Sequence, residues 1–100
     1  MRVKIYQAGI DYENKFMGYD FTMQHGGIDE GAYRCVYDGH LYFKTPDDIF
    51  YILNTRRPEG YTGHSLSVSD IVVIEGQALF CDTFGWKSIS FGGACDVCAS

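Results

Sequence analysis

The stretch TPDDIFYILNTRRP, residues 45 to 58, carries every signal of one short helix, and this constrains the fold more than any other feature of the chain. Thr45 is placed to cap the first-turn amides, Pro46 takes the first helical position, where no N–H is needed, and Asp47 and Asp48 face the positive end of the dipole. Ile49, Ile52 and Leu53, helped by Phe50, form one apolar stripe. Arg56 and Arg57 suit the negative end, and Pro58 stops continuation. A single stripe of this length must be covered by another layer, and the rest of the chain offers strands.

RVKIYQ sets Val3 and Ile5 on one side and Arg2, Lys4 and Tyr6 on the other, the period-two alternation of a half-buried first strand. GIDYEN reads as a loop. In KFMGYDFTMQHGG, Phe16, Met17, Phe21 and Met23 fall near helical spacing before two glycines able to end a helix, so a second short helix is expected there. GGIDEGA is turn material. YRCVYDG predicts a second strand with Tyr33, Cys35 and Tyr37 facing opposite to Arg34 and Val36, a turn at Asp38-Gly39, and HLYFK returning as an extended segment.

In GHSLSVSD, Leu66 and Val68 are expected to point inward together, with Ser67, Ser69 and Asp70 forming a structural turn whose side chains bond nearby backbone amides. IVVIEGQALFCD predicts a hairpin turning at Glu75-Gly76, and FGWKSISF extends or follows its return strand. The expected fold is α+β: a small, mainly antiparallel sheet of about four strands with one or two short helices packed on it. It occupies residues 1–92 as a single domain. Residues 93–100, with little apolar surface, form a C-terminal tail.

Thirteen acidic residues against eight basic ones leave a formal charge of −5, and no window holds a run of Lys or Arg. Direct nucleic-acid binding therefore has no electrostatic footprint. No apolar run approaches the roughly 18 residues of a membrane span, and the N-terminus lacks the unbroken apolar core of a secretory signal. A cytoplasmic protein with free thiols at Cys35, Cys81, Cys95 and Cys98 is the expectation.

The order of these elements, with GHSLSVSD followed by an aliphatic strand and a return strand ending CDTFGW, resembles the YodL-like domain. This is a small domain of Firmicutes proteins, among them proteins of conjugative elements and large polyvalent proteins of mobile elements. KIYQ and FMGYD fit the same pattern more loosely, so the resemblance covers about residues 2 to 91. Trp86 stands where the family usually has Phe, and the cysteine-bearing tail has no family counterpart. The resemblance implies a biological setting but transfers no catalytic residues.

Three constellations invite chemistry. His64, Ser65 and Asp70 hold the residue types of a hydrolase triad, but adjacent His64 and Ser65 point to opposite faces of an extended chain, and neither a nucleophile elbow nor a Gly-rich oxyanion loop accompanies them. CDVC, Cys95 to Cys98, has zinc-knuckle spacing without a second close pair, so inert tail thiols and no metal or cofactor are expected. In TFGW, Phe84 and Trp86 sit at alternate positions around a glycine, which either pack both rings in the core or leave one of them exposed as an interface anchor. The function expected is a non-catalytic interaction module in conjugative-element or phage biology, with a protein partner contacted through His64, Ser65, Phe84 and Trp86. The alternatives are an acidic decoy of a host nucleic-acid-binding defence protein, and a small enzyme using His64 with Asp70 or a cysteine.

Overall fold

The computed structural model describes residues 2–9, 11–13, 15–55 and 58–91; the helix-end signal at Arg56 and Arg57 and the 93–100 tail lie outside them. Five strands form one antiparallel sheet: β1 (Arg2–Ala8), β2 (Tyr33–His40), β3 (Ile71–Ile74), β4 (Gln77–Cys81) and β5 (Trp86–Ile89), in the order β2-β1-β3-β4-β5. Helices α1 (Tyr19–Gln24) and α2 (Pro46–Thr55) complete the α+β fold, and a short 3-10 turn (Glu30–Ala32) leads into β2.

Alternation along β1 divides the core in two. Val3 and Ile5 are fully buried with Val72 of β3, Leu66, and Ile49 and Leu53 of α2. Ile71, Val73, Ala78 and Phe80 face the other way, where Tyr6, Tyr19 of α1, Ile28, Tyr33 and Phe91 cover them. Each fully buried aliphatic side chain contributes about 1.5–3 kcal/mol, so the α2 stripe alone anchors that helix firmly. At its N-terminus the Asp48 carboxylate reaches back to accept from the Lys44 and Thr45 amides at 2.9 and 3.0 Å. Those two bonds hold its carboxyl below the usual carboxylate range.

The β3–β4 hairpin turns at Glu75-Gly76, where φ is +50° and +87°, the left-handed pair that a two-residue connection requires. The fifth strand comes from FGWKSISF, which turns at Asp82–Gly85 and pairs with β4.

Three local expectations are corrected. Asp38-Gly39 is not a turn: β2 runs on to His40, with Asp38 opposite Lys4 and Gly39 opposite Val3. Glycine is needed there because a Cβ at Gly39 would lie 2.4 Å from the Tyr37 hydroxyl oxygen. Tyr33, Cys35 and Tyr37 do not share a face, because the register slips between Ile5 and Tyr6: Ile5 opposes Tyr37, Tyr6 opposes Cys35, and Val36 is the extra residue. The bulge lets consecutive Val36 and Tyr37 both join the α2-side core while Tyr33 stays on the other face. Finally, Phe16, Met17, Phe21 and Met23 do not form the buried stripe of α1; all four are exposed, and Thr22 is the buried residue of that helix. The two glycines do end it, with the Gly27 amide bonded back to the Thr22 carbonyl.

Candidate functional site

The period of β1 that buries Val3 and Ile5 also buries Gln7, a polar side chain 2 % exposed in an apolar layer. A buried carboxamide must find partners, and the segment 61–70 supplies them. Gln7 Nε2 donates toward the Asp70 carboxylate (3.0 Å), the His64 carbonyl (2.9 Å) and the Tyr61 hydroxyl oxygen (3.1 Å), while Oε1 accepts from the His64 amide at 3.1 Å. The Tyr61 hydroxyl itself donates to the same His64 carbonyl. Gly63 makes this approach possible: a Cβ there would fall 2.1 Å from Gln7 Oε1.

Asp70, 1 % exposed, closes the loop by accepting from the Ser67 amide at 2.9 Å, and the Asp70 amide donates to the Ser67 carbonyl. Desolvation pushes its carboxyl up to about 6; the bonds from Ser67 and Gln7 and the positive potential of His64 and Lys15 oppose that rise without cancelling it. Ser69 next to it is also buried, at φ +80°. Its hydroxyl accepts from the Phe16 amide, its carbonyl accepts from the Tyr33 hydroxyl, and its amide donates to the Cys81 carbonyl. The Ser67 hydroxyl, by contrast, is buried with no hydrogen-bond partner among the described residues. Leu66 is buried and Val68 only half-buried; Asn54 of α2 holds the Leu66 amide at 2.8 Å. The cluster thus ties β1, β4, α2 and the loop before α1 to one turn.

As chemistry it is a closed arrangement. His64 Nδ1 lies 2.7 Å from the Ser65 carbonyl oxygen, which makes Nδ1 the protonated nitrogen, and Nε2 is buried without a partner among the described residues. A general base needs that second nitrogen open to substrate. His64 and Asp70 meet through Gln7 and not through each other. The Cys81 thiol is pushed up to about 12, first by burial and then by the carboxylates of Asp70, Asp82 and Asp47, far from the thiolate a nucleophile requires.

Phe84 and Trp86 lie elsewhere. They flank the β4–β5 turn, and in the strand order β1-β3-β4-β5 that edge is three strand spacings, roughly 14 Å, from Gln7. Phe84 is 90 % exposed; Trp86 is half-buried on α2, its Nε1–H donating to Asp47 at 3.1 Å. Ser65 is exposed. Among the described residues, the hollow at Arg2, Lys4 and Glu75, the groove at Tyr42 and Tyr51, the one at Tyr12 and His25 and the one at Phe50 and Trp86 are lined by neither His64 nor Asp70. Among the described residues no group of three His, Cys, Asp or Glu side chains is placed to hold a metal, and no helix is long and apolar enough to cross a membrane.

Gln7, Tyr61 and Gly63 carry the cluster, and no sequence motif marks them as site residues. Gln7 was findable, since it continues the phase of Val3 and Ile5; Tyr61 and Gly63 had no comparable signal.

Neither the curated proteins nor the solved structures contain a match to the chain. A family model for the YodL-like domain matches residues 2–91. That match spans both faces of the sheet, the GHSLSVSD turn and all five strands, and the chain therefore belongs to the YodL-like domain family.

Proposed function

We propose that this domain is a non-catalytic protein-interaction module, acting in the cytoplasm in the biology of a conjugative element or phage, the setting of its family. The observation that supports the reading is a set of exposed aromatic rings on α2, on the segment before it and on the β4–β5 turn. Tyr42 is 95 % exposed, Phe84 90 % and Tyr51 63 %, and Phe50 is also exposed. Tyr42, Phe43, Tyr51 and Ile52 line a shallow groove flanked by Lys44 and Asp48. Phe50 and Trp86 line a second hollow beside the β4–β5 turn. Aromatic side chains are enriched at the energetic centres of protein interfaces, where they supply large apolar area at low entropic cost. Exposure of several such rings on a 100-residue acidic domain is costly to solubility and is accounted for by a partner.

The decoy alternative draws less support. Asp38 pairs with Arg2, Asp48 caps α2, Asp47 holds Trp86, Asp82 accepts the Tyr19 amide and Asp70 is buried, so these carboxylates serve the fold. The enzyme alternative meets the closed His64–Gln7–Asp70 geometry and the inert Cys81 thiol.

The test compares proteins cross-linked in host cells to the wild type and to the Tyr51→Ser/Phe84→Ser variant. Loss of a specific cross-linked partner with an unchanged melting temperature supports the reading. Retention of that partner, together with its loss on substitution of Ser65, moves the interface to the 61–70 loop and overturns it.

A further inference from the structure

The hollow beside the β4–β5 turn gathers Asp47 and Phe50 from α2, Cys81 from the end of β4, Asp82 from the turn and Trp86 from β5. At about 240 Å3 it is smaller than the roughly 300–1,000 Å3 of small-molecule sites and suits a single side chain. Ala78 and Phe80 face the α1 side, so the period of β4 turns Cys81 toward α2. Its thiol, 4 % exposed, has no hydrogen-bond partner among the described residues.

Two carboxylates give this hollow its charge, and each is fixed through Oδ1 alone. Asp47 Oδ1 accepts the Trp86 indole N–H at 3.1 Å, and Asp82 Oδ1 accepts the Tyr19 and Thr83 amides at 2.9 and 2.7 Å. Among the described residues neither Oδ2 has a hydrogen-bond partner, and neither carboxylate has an ion-pair partner. Their negative potential reaches Cys81, whose thiol is raised by burial first and then by Asp70, Asp82 and Asp47. No Lys or Arg lines the hollow, and Lys87 points to the other side of the sheet, its Nζ 6.0 Å from the Tyr19 ring centroid. Fixed carboxylates beside the rings of Phe50 and Trp86, with no cation of their own, are a receptor for positive charge. The side chains of Asp47, Cys81 and Asp82 are not grouped closely enough to hold a metal ion. A guanidinium fits better: it is flat, stacks on a ring and spreads five N–H donors across its plane.

We propose, building on the interaction-module reading, that this hollow receives the guanidinium of an arginine side chain presented by the protein partner. The cation stacks against the ring walls and donates to the open carboxylate oxygens of Asp47 and Asp82. Phe84, 90 % exposed in the same turn, adds apolar contact to the residues flanking that arginine. The charge of −5 on the chain draws in a basic segment over a neutral one.

Trp86 is the only tryptophan of the chain, so its indole N–H resonance reports on this hollow. The experiment titrates isotope-labelled full-length protein with the capped peptide acetyl-Gly-Arg-Gly-amide and follows that resonance by two-dimensional NMR. Parallel titrations use the lysine peptide and the citrulline peptide, which keeps the shape of arginine without its charge. The expected result is a saturable shift with arginine, binding at least about fivefold weaker with lysine and at least about tenfold weaker with citrulline. Asp47→Asn/Asp82→Asn keeps both Oδ1 acceptors and should weaken arginine binding at least about tenfold. A response that does not saturate, an affinity for citrulline or lysine equal to that for arginine, or an unchanged affinity in the folded double variant overturns the proposal. Should the double variant fail to fold, the three peptides on the wild type decide. The titration contains no partner protein, so its failure strikes the arginine site alone, while the interaction-module reading stands or falls by the cross-linking of Tyr51→Ser/Phe84→Ser.

Discussion

Replacing Asp70 with asparagine isolates the cost of burying its charge. In the folded chain the carboxyl is pushed up from 3.8 to about 6, because burial disfavours the anion more than the bonds from Ser67 and Gln7 favour it. A raised carboxyl means that the folded state holds its proton over a range where the unfolded state has released it. Stability from this group is thus full below about pH 4 and declines as pH rises through about 6. The gap is worth about 3 kcal/mol at most, at 1.36 kcal/mol per pH unit. Asp70→Asn retains an acceptor for the Ser67 amide but has no proton to lose. Its stability relative to wild type should therefore climb by up to about 3 kcal/mol between pH 4 and pH 7. Asp70→Ala removes the acceptor as well and should cost about 1–3 kcal/mol at pH 4, a cost that shrinks toward pH 7. Urea unfolding of the three proteins at pH 4, 5.5 and 7 measures this directly. Taking differences from wild type cancels the opposite pH trend of Asp38 and Asp48, whose carboxyls are held low. A difference between wild type and Asp70→Asn that stays flat across the range would falsify the account of a charge buried at a cost.

Other outcomes follow from the same geometry. Gly63→Ala should destabilise by about 1–3 kcal/mol through its clash with Gln7 Oε1, and combining it with Gln7→Ala should cost less than the sum of the two, measured by a double-mutant cycle. Iodoacetamide at pH 8 should modify Cys35 rapidly and Cys81 only at the rate of global opening, which peptide mapping resolves. Deletion of residues 93–100 should leave the melting temperature nearly unchanged, whereas Phe91→Ala should cost about 3–5 kcal/mol, both read by calorimetry.

Elements whose cause is local are legible in the sequence. The α2 signals from Pro46 to Leu53, the alternation of Val3 and Ile5, and the Glu75-Gly76 turn each depend on a handful of neighbouring residues. The misplaced features depend on contacts distant in sequence. Asp38-Gly39 looks like a turn, yet Gly39 is set by the ring of Tyr37 and by pairing with Val3. The bulge at Val36 has no signature within β2, because it is the match to Ile5 and Tyr6 that forces it. In α1, Phe21 and Met23 suggested an inward stripe, while the docking angle fixed by the Tyr19 amide on Asp82 turns Thr22 inward instead. The polar cluster was half visible: Asp70 and the serines stood out, but their principal partner, Gln7, lies more than sixty positions earlier.

The position of β1 between β2 and β3 has a consequence for how the chain is made. β1 is translated before every other strand, and its two partners follow at residues 33–40 and 71–74. A nascent chain that has emerged only through β2 can pair one side of β1, while the other side presents unpaired N–H and C=O groups beside Val3 and Ile5. Such a half-paired strand is an invitation to intermolecular pairing, and it persists until the β3–β4 hairpin arrives. That hairpin forms in roughly microseconds once synthesised, so the slow event is waiting for it. The domain therefore completes its sheet late, and fragments ending before β3 are the species in which aggregation during synthesis should concentrate.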